Sequence, residues 1–157
     1  MILLRNVTID AQHKVLVWQG EVKIVPFLHA PGFCNAQAPG LGEKSHFPDA
    51  SGRNNIVISA RTFDDSALSH FNVMLETKGA KHLFRQGQYS ANFTLSSKMQ
   101  DIQIPLDNFV CTWRGEHVTW CPPIAGELKQ ITNIGVGTAF PGKAGKFAVD
   151  LKAVAAM

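Results

Sequence analysis

The sequence has no long apolar run. No stretch approaches the roughly 20 consecutive apolar residues that a helix needs to cross a bilayer, and residues 1–4 lead into alternating polar and apolar residues instead of a targeting peptide. We therefore expect neither a transmembrane segment nor a targeting signal. Positive charge is not concentrated either, because the net charge is +3 and the 15 Lys and Arg residues are scattered. Without a basic patch, nucleic acid is not an expected partner.

Charged residues are few, at 17% of the sequence, whereas hydrophobic residues make up 45%. This balance excludes a disordered chain, which combines low hydrophobicity with high net charge. The 157 residues contain no internal repeat, low-complexity tract or linker. We therefore expect one domain over residues 1–157, large enough to bury its own core.

Helical periodicity is also missing, and the dominant period of the sequence is two. Alternation of this kind is typical of strands with one buried face, and it is clearest at 71–78, 89–95 and 147–153. Further strands are predicted at 3–9, 14–18, 21–25, 55–62, 101–105 and 131–138, with a turn at 19–20 and short helical turns at 64–69 and 125–130. Because parallel strands need crossover helices, we expect an all-β antiparallel sandwich or jelly roll.

Cysteine is scarce, with three residues in the chain. Cys111 and Cys121 bracket a predicted loop short enough to be closed by one disulfide in an oxidising compartment. Cys34 would then remain a thiol. The alternative is three reduced thiols, with Cys34 buried as a small hydrophobic residue. Cys111, His117 and Cys121 could also be considered as zinc ligands, but they lack a fourth ligand and the usual short spacing between cysteines.

Signatures of catalysis are missing as well. The sequence has no Gly-x-Ser-x-Gly elbow and no phosphate-binding glycine loop, and its histidines do not show the spacing of metal ligands. We therefore predict no catalytic residue, no cofactor and no metal. The protein is expected to work by binding other molecules.

Three stretches, in order, resemble the complex I intermediate-associated protein family. The first is Phe-Pro-Asp-Ala-Ser-Gly at 47–52 with Ile-Val-Ile-Ser-Ala-Arg at 56–61. The second is Gln-Tyr-Ser-Ala-Asn-Phe at 88–93, followed by 101–109 and an Arg-Gly pair at 114–115. The third joins 128–135 to Gly-Lys-Phe-Ala-Val-Asp-Leu at 145–151, so the likeness covers roughly residues 20–155.

The resemblance implies a galactose-binding-like jelly roll that acts as a non-catalytic, protein-binding scaffold. By this likeness the chain resembles assembly factors of respiratory complex I, or a derived subunit of an organelle membrane complex. It implies protein partners in a large respiratory or photosynthetic membrane complex, and a location in the mitochondrion or plastid. Two departures stand out: the family's amino-terminal Asn-Asp-Pro-Val-Met-Gly-Gly signature is missing, as in a shortened member, and so is an arginine that many members carry after the residue matching Phe33.

We predict four partner-binding residues, Phe33, Trp113, Arg114 and Trp120. Buried aromatic and arginine side chains supply most of the affinity in protein interfaces. Trp113 and Trp120 could instead stack on a sugar, so a carbohydrate-binding module is the alternative function. A structural role also stays open, in which the two indoles cap the core and Arg114 pairs with a carboxylate. Trp18 is predicted to lie in the core.

Overall fold

The computed structural model describes residues 5–38, 47–139 and 142–157, which form strands joined by turns and two short 3-10 helices. The strands are, in chain order, β1 (Arg5–Asp10), β2 (Val15–Val22), β3 (Ile24–Val25), β4 (Ala30–Pro31), β5 (Asn35–Gln37), β6 (Asn55–Thr62), β7 (His70–Thr77), β8 (Lys81–His82), β9 (Arg85–Gln86), β10 (Gln88–Thr94), β11 (Gln100–Pro105), β12 (Val110–Trp113), β13 (Glu116–His117), β14 (Ile131–Thr138) and β15 (Gly145–Ala156). The 3-10 helices cover Leu106–Asn108 and Ile124–Gly126.

Two antiparallel sheets make up the sandwich. The first has the strand order β1, β2, β15, β6, β11, and the second has the order β13, β12, β10, β7, β14, β5. Hairpins β3–β4 and β8–β9 form separate two-stranded pairs. Neighbouring strands are mostly distant in sequence, so the chain passes repeatedly from one sheet to the other, as in a jelly roll. The predicted fold class is confirmed.

The core lies between the sheets and is built from the inward side of each alternating strand. Trp18 of the first sheet is 1% exposed, and its ring centroid lies 5.9 Å from that of Phe71 and 4.7 Å from that of Phe147. Edge-to-face aromatic contacts of this kind add stability beyond the burial of apolar area. The prediction that Trp18 is a core residue is confirmed.

Two predictions about local structure are wrong. Segments 14–18 and 21–25 are not separated by a turn, because β2 runs through Gly20, which pairs with Arg5 on one side and Phe147 on the other. Residues 64–69 form turns and no helix, whereas the helical turn expected at 125–130 is the 3-10 helix Ile124–Gly126. Within the described ranges, no helix is long and apolar enough to cross a membrane.

Candidate functional site

Two hairpins stand side by side where β7 ends and β10 begins. In the β8–β9 hairpin, the two-residue turn is Leu83 and Phe84, and in the β12–β13 hairpin it is Arg114 and Gly115. Arg114 and Gly115 have φ angles of 53° and 81°, the pattern of the tight turn that suits a twisted hairpin. Segment 111–121 is therefore not the simple loop that the sequence predicts.

The two hairpins are joined by stacked aromatic and arginine side chains. The Cζ atom of Arg85 lies 5.7 Å from the ring centroid of Phe84 and 5.0 Å from that of Trp113. Arg114 lies against the same indole, with its Cζ 4.6 Å from the centroid. Trp120 precedes Cys121, which the disulfide described below joins to Cys111. The ring centroid of Trp120 is 5.6 Å from that of His82 in β8. Together these side chains form what we call the hairpin surface: Leu83, Phe84, Arg85, Trp113, Arg114 and Trp120.

The tip of the hairpin surface is apolar and open to solvent. Leu83 is 79% exposed and Phe84 is 81% exposed. Leu83 also has a φ of 56°, a region that glycine and asparagine adopt more readily than leucine. Adjacent exposed apolar side chains make this tip a candidate contact site; the β3–β4 turn also carries an exposed pair, Phe27 and Leu28.

A disulfide between Cys111 and Cys121 ties the hairpin surface together. It connects β12, which leads to Trp113, with the segment that carries Trp120. Gly87 lies directly beneath the two sulfurs, since a Cβ atom there would come within 2.6 Å of Cys121 Sγ and 2.8 Å of Cys111 Sγ. The absence of a side chain at 87 is therefore needed for the disulfide to pack against the start of β10.

The base of the β8–β9 hairpin is fixed by polar contacts. The buried carboxylate of Glu127 accepts hydrogen bonds from Thr77 Oγ1 at 2.7 Å and from the Gly79 amide at 3.0 Å. The side-chain amide of Gln86 donates to the carbonyl oxygens of Thr77 and Ala80. These contacts present the exposed tip from a rigid support, which lowers the entropic cost of binding.

Tyr89 lies in the core beneath this surface. Its hydroxyl donates a 2.5 Å hydrogen bond to the carbonyl oxygen of Pro122, next to the disulfide. Burial raises the pKa of Tyr89 to about 12, and the negative charge of Glu127 acts in the same direction. The side chain therefore stays neutral at any physiological pH and serves as a structural link between β10 and the segment after Cys121.

The hairpin surface carries two arginines, and the exposed Glu116 lies opposite Trp113 in the β12–β13 hairpin. Among the described residues, neither Arg85 nor Arg114 forms an ion pair with a carboxylate. Arg114 stacks on Trp113, so the carboxylate partner considered for it from the sequence is not observed. Both indoles are half-buried and leave part of each ring accessible, rather than closing over the core completely.

Phe33 does not belong to this surface. Thr138, at the far end of β14, donates its backbone N–H to the carbonyl oxygen of Cys34. Trp113, by contrast, follows Cys111, which pairs with Tyr89 near the other end of the sheet. The structure therefore places Phe33 at the opposite end of the sandwich from the three other predicted partner-binding residues.

Phe33 is 49% exposed and lines a cavity of about 1220 Å³ at the open side of the sandwich. The cavity walls come from both sheets and are mainly apolar, with Leu16 and Leu151 from the first sheet and Ile134 from the second. Cys34, also in the wall, is buried, and its N–H donates to Thr138 Oγ1 at 2.9 Å.

Sequence reasoning singled out Trp113, Arg114 and Trp120 but did not include Leu83, Phe84 and Arg85, which the structure places on the neighbouring hairpin. The missed signal was an apolar pair between two polar dipeptides, Lys-His at 81–82 and Arg-Gln at 85–86. In the part of the chain that the structure describes, no three His, Cys, Asp or Glu side chains are grouped as metal ligands. Cys111 and Cys121 are joined to each other, so they do not form a zinc site with His117.

A polar surface, separate from the hairpin surface, covers the outer face of the six-stranded sheet. Gln88 Nε2 donates to Glu76 Oε1 at 2.9 Å, and Asn133 Nδ2 donates to Gln37 Oε1 at 3.1 Å. Asn72 and Asn133 each have a buried Oδ1 atom without a hydrogen-bond partner among residues 5–38, 47–139 and 142–157. We call this surface, comprising Gln37, Asn72, Glu76, Gln88 and Asn133, the amide face.

Comparison with solved structures finds carbohydrate-binding modules. The chain is similar to the family 11 carbohydrate-binding module from Clostridium thermocellum in complex with a β-1,3-1,4-mixed-linked tetrasaccharide, with a TM-score of 0.57, 16% identity, and coverage of 99% of this chain and 82% of that one. It is also similar to the family 11 module of the cellulosomal cellulase Lic26A-Cel5E of the same organism, with a TM-score of 0.54, 16% identity, and coverage of 95% and 78%. At this identity the likeness concerns the fold alone.

A search of curated proteins finds no significant match. A search of protein families does find one: the family described as Complex I intermediate-associated protein 30 matches residues 5–151. This match begins earlier than the residue 20 expected from the sequence motifs and extends over nearly all of the chain. The chain belongs to the Complex I intermediate-associated protein 30 family.

Proposed function

We propose that this protein is a non-catalytic docking domain that binds protein subunits during assembly of respiratory complex I, or of a related organelle membrane complex. Membership of the family supports this role. The observation that carries it is the hairpin surface, where exposed Leu83 and Phe84 adjoin arginines stacked on Trp113. The mitochondrion is the expected location, with the plastid as the alternative if the partner complex is photosynthetic.

Docking at the hairpin surface follows from its composition. Trp, Phe and Arg are side chains on which binding energy concentrates when a partner excludes water from them. Trp113 and Trp120 are each held by a stacked neighbour and joined through the disulfide, so little side-chain freedom is lost on binding. A rigid sandwich that presents such a surface needs no moving parts and no cofactor to act as a scaffold.

The test is capture of complex subunits by the tagged chain from solubilised organelle membranes, with the captured proteins identified by mass spectrometry. Replacing both Trp113→Ala and Trp120→Ala should reduce capture at least about tenfold, as expected for loss of interface hot spots. Phe63→Ala is the matched control, because Phe63 also stacks on an arginine, Arg61 at 5.0 Å, but lies away from the hairpins. Unchanged capture by the double variant, with a cooperative thermal melt, would refute the assignment.

Phe33 is proposed to make a separate contact at the opposite end of the molecule. It is half exposed at the mouth of the apolar cavity, where a partner side chain can pack against it. Phe33→Ala should therefore weaken capture independently of the tryptophan variants. If the effects of the two sets of variants do not add, the two ends do not act as separate contacts.

Carbohydrate binding is the second candidate function, and the amide face is the observation that favours it. Side-chain amides donate and accept in one plane, which suits sugar hydroxyl groups. Calorimetric titration with a β-1,3-1,4-linked tetrasaccharide tests this role. Binding that Asn72→Ala abolishes and that the Trp113→Ala, Trp120→Ala variant retains would place a sugar on the amide face, whereas the absence of heat leaves the docking role alone.

A further inference from the structure

Arg85 lacks the acceptor that its position calls for. Its Cζ lies 5.7 Å from the ring centroid of Phe84 and 5.0 Å from that of Trp113, and its Nε atom is buried without a hydrogen-bond partner in the part of the chain that the structure describes. A buried N–H that has lost its hydration and gained no acceptor destabilises the free protein. Because Nε itself is closed to solvent, an incoming acceptor would meet the terminal N–H groups of the guanidinium.

Arg114 adds a second guanidinium beside the same indole. Its Cζ lies 4.6 Å from the centroid of the Trp113 ring, on which Arg85 also stacks at 5.0 Å. The ion pairs found among the described residues are Arg61 with Asp150 and His13 with Asp10, both in the other sheet. Two guanidinium groups beside one indole raise the local positive potential, which favours an anion in their vicinity.

We infer that the hairpin surface binds an acidic and apolar segment of a protein partner, with a carboxylate accepting hydrogen bonds from Arg85 and Arg114 and apolar side chains packing on Leu83 and Phe84. This inference rests on the proposed docking function and specifies the chemistry of the partner. A planar carboxylate matches the geometry of the guanidinium fork, and such charge-assisted hydrogen bonds are strong and directional.

A protein segment fits this surface better than an anionic membrane does. The guanidinium groups of Arg85 and Arg114 both lie against aromatic rings, and a guanidinium held in this way suits a planar carboxylate. Anionic lipids, in contrast, attract cations through a diffuse surface potential that requires no fixed orientation. Trp113 is half-buried and lies against Arg85 and Arg114, so it is not placed to anchor at a bilayer interface.

The probe is a short synthetic peptide in which glutamate alternates with leucine, compared with the same peptide carrying glutamine in place of glutamate. Binding is followed by tryptophan fluorescence of the intact chain. We expect the glutamate peptide to bind at least about tenfold more tightly than the glutamine peptide, because a hydrogen bond to a charged carboxylate is stronger than one to a neutral amide. The preference should shrink as ionic strength rises.

The variant Arg85→Gln, Arg114→Gln should lose this preference and bind both peptides alike. Its matched control is Lys98→Gln, Lys152→Gln, which removes the same charge from exposed residues outside the hairpin surface and should keep the preference. A thermal melt of each variant separates a binding defect from a folding defect. Charge-conserving Arg85→Lys, Arg114→Lys should restore attraction only in part, since an ammonium group cannot stack or bind in the same planar manner.

Three outcomes overturn the inference. The unmodified chain binds the two peptides equally, or it binds neither, or it fails to bind the glutamate peptide but is retained on phosphatidylcholine vesicles that contain an anionic lipid. The third outcome would assign the surface to a membrane. Loss of subunit capture by the tryptophan double variant, together with equal peptide binding, would leave the docking function standing and remove only the acidic partner.

Discussion

The ionisation of Tyr89, beneath the hairpin surface, is governed more by burial than by neighbouring charges. Its hydroxyl reaches the Pro122 carbonyl oxygen while its ring lies in the core. Burial is the main cause of the raised pKa of Tyr89. It is the sole tyrosine in the sequence, so its ionisation can be followed without interference from another phenol.

We predict that the phenolate absorbance of the folded protein appears only as the pH approaches about 12, compared with a value of 10.0 for a tyrosine in water. The folded chain then holds a proton that the unfolded chain has lost, so the free energy of unfolding should fall as pH rises through this window. Below it, the stability contributed by neutral Tyr89 is complete. Ultraviolet titration and urea unfolding at stepped pH measure the two effects.

Tyr89→Phe is the control for that prediction. It removes the ionisable group, so unfolding of the variant should not show the component that belongs to Tyr89 in this pH window. It also removes the hydrogen bond to Pro122, which should lower stability at neutral pH by about 0.5–1.5 kcal/mol. A phenolate that appears near the ordinary tyrosine pKa while the protein is still folded would show that Tyr89 is open to water.

At the scale of elements, the turn of the β8–β9 hairpin holds an exposed leucine in a backbone conformation that destabilises the hairpin. Leu83 has a φ of 56°, which is unfavourable for leucine by about 1–2 kcal/mol. Asparagine tolerates this conformation, so Leu83→Asn should raise the free energy of unfolding by up to about 1 kcal/mol while reducing capture of the partner. Urea unfolding and the capture assay give the two readings.

Lys14→Asn is the matched control for the hairpin. Lys14 has a φ of 55° in the turn between β1 and β2, at the edge of the other sheet. The substitution should bring a similar gain in stability without a change in capture. If Leu83→Asn also leaves capture unchanged, the tip is not part of the docking site.

Long strands could be predicted from the sequence because their side chains record which face is buried. The predicted strand 89–95 corresponds to β10, along which burial alternates. The bounds of β6 and β14 match the predicted 55–62 and 131–138, which are rich in β-branched residues. The two-residue strands β8, β9 and β13 could not be found in this way, because a period of two needs more than two residues to be visible.

The same reason explains which part of the candidate site was missed. Trp113, Arg114 and Trp120 stand out by residue type within one stretch, whereas Leu83, Phe84 and Arg85 come from a hairpin about 30 residues earlier. Their proximity follows from β10, which pairs with β12 and directly follows the β8–β9 hairpin. Contacts of this kind depend on sheet order, which alternation does not encode.

At the scale of the molecule, the two exposed ends of the sandwich are separated by the whole length of the six-stranded sheet. The hairpin surface lies where β14 begins and Phe33 lies where it ends. A rigid domain with contact sites at opposite ends can bridge two subunits. The hairpin end differs from the other in that a disulfide connects the elements that carry its two tryptophans.

We predict that reducing the Cys111–Cys121 disulfide loosens this end without unfolding the domain. A cross-link that closes a loop of this size stabilises a protein by about 2–3 kcal/mol, chiefly through the unfolded chain. The aromatic core around Trp18 and Phe71 does not depend on it, so unfolding in reductant should stay cooperative at a lower midpoint. Urea unfolding with and without reductant measures the difference.

Reduction of the disulfide should also weaken binding of the partner. Without the disulfide, the segments that carry Trp113 and Trp120 are no longer linked, and the partner must order them on binding. Cys111→Ala, Cys121→Ala should reproduce the reduced state and no longer respond to reductant, which separates this disulfide from any effect on Cys34. Identical unfolding curves in the presence and absence of reductant would mean that the two thiols are not linked. Lower stability with undiminished capture would mean that the disulfide supports the fold and has no part in preorganising the docking site.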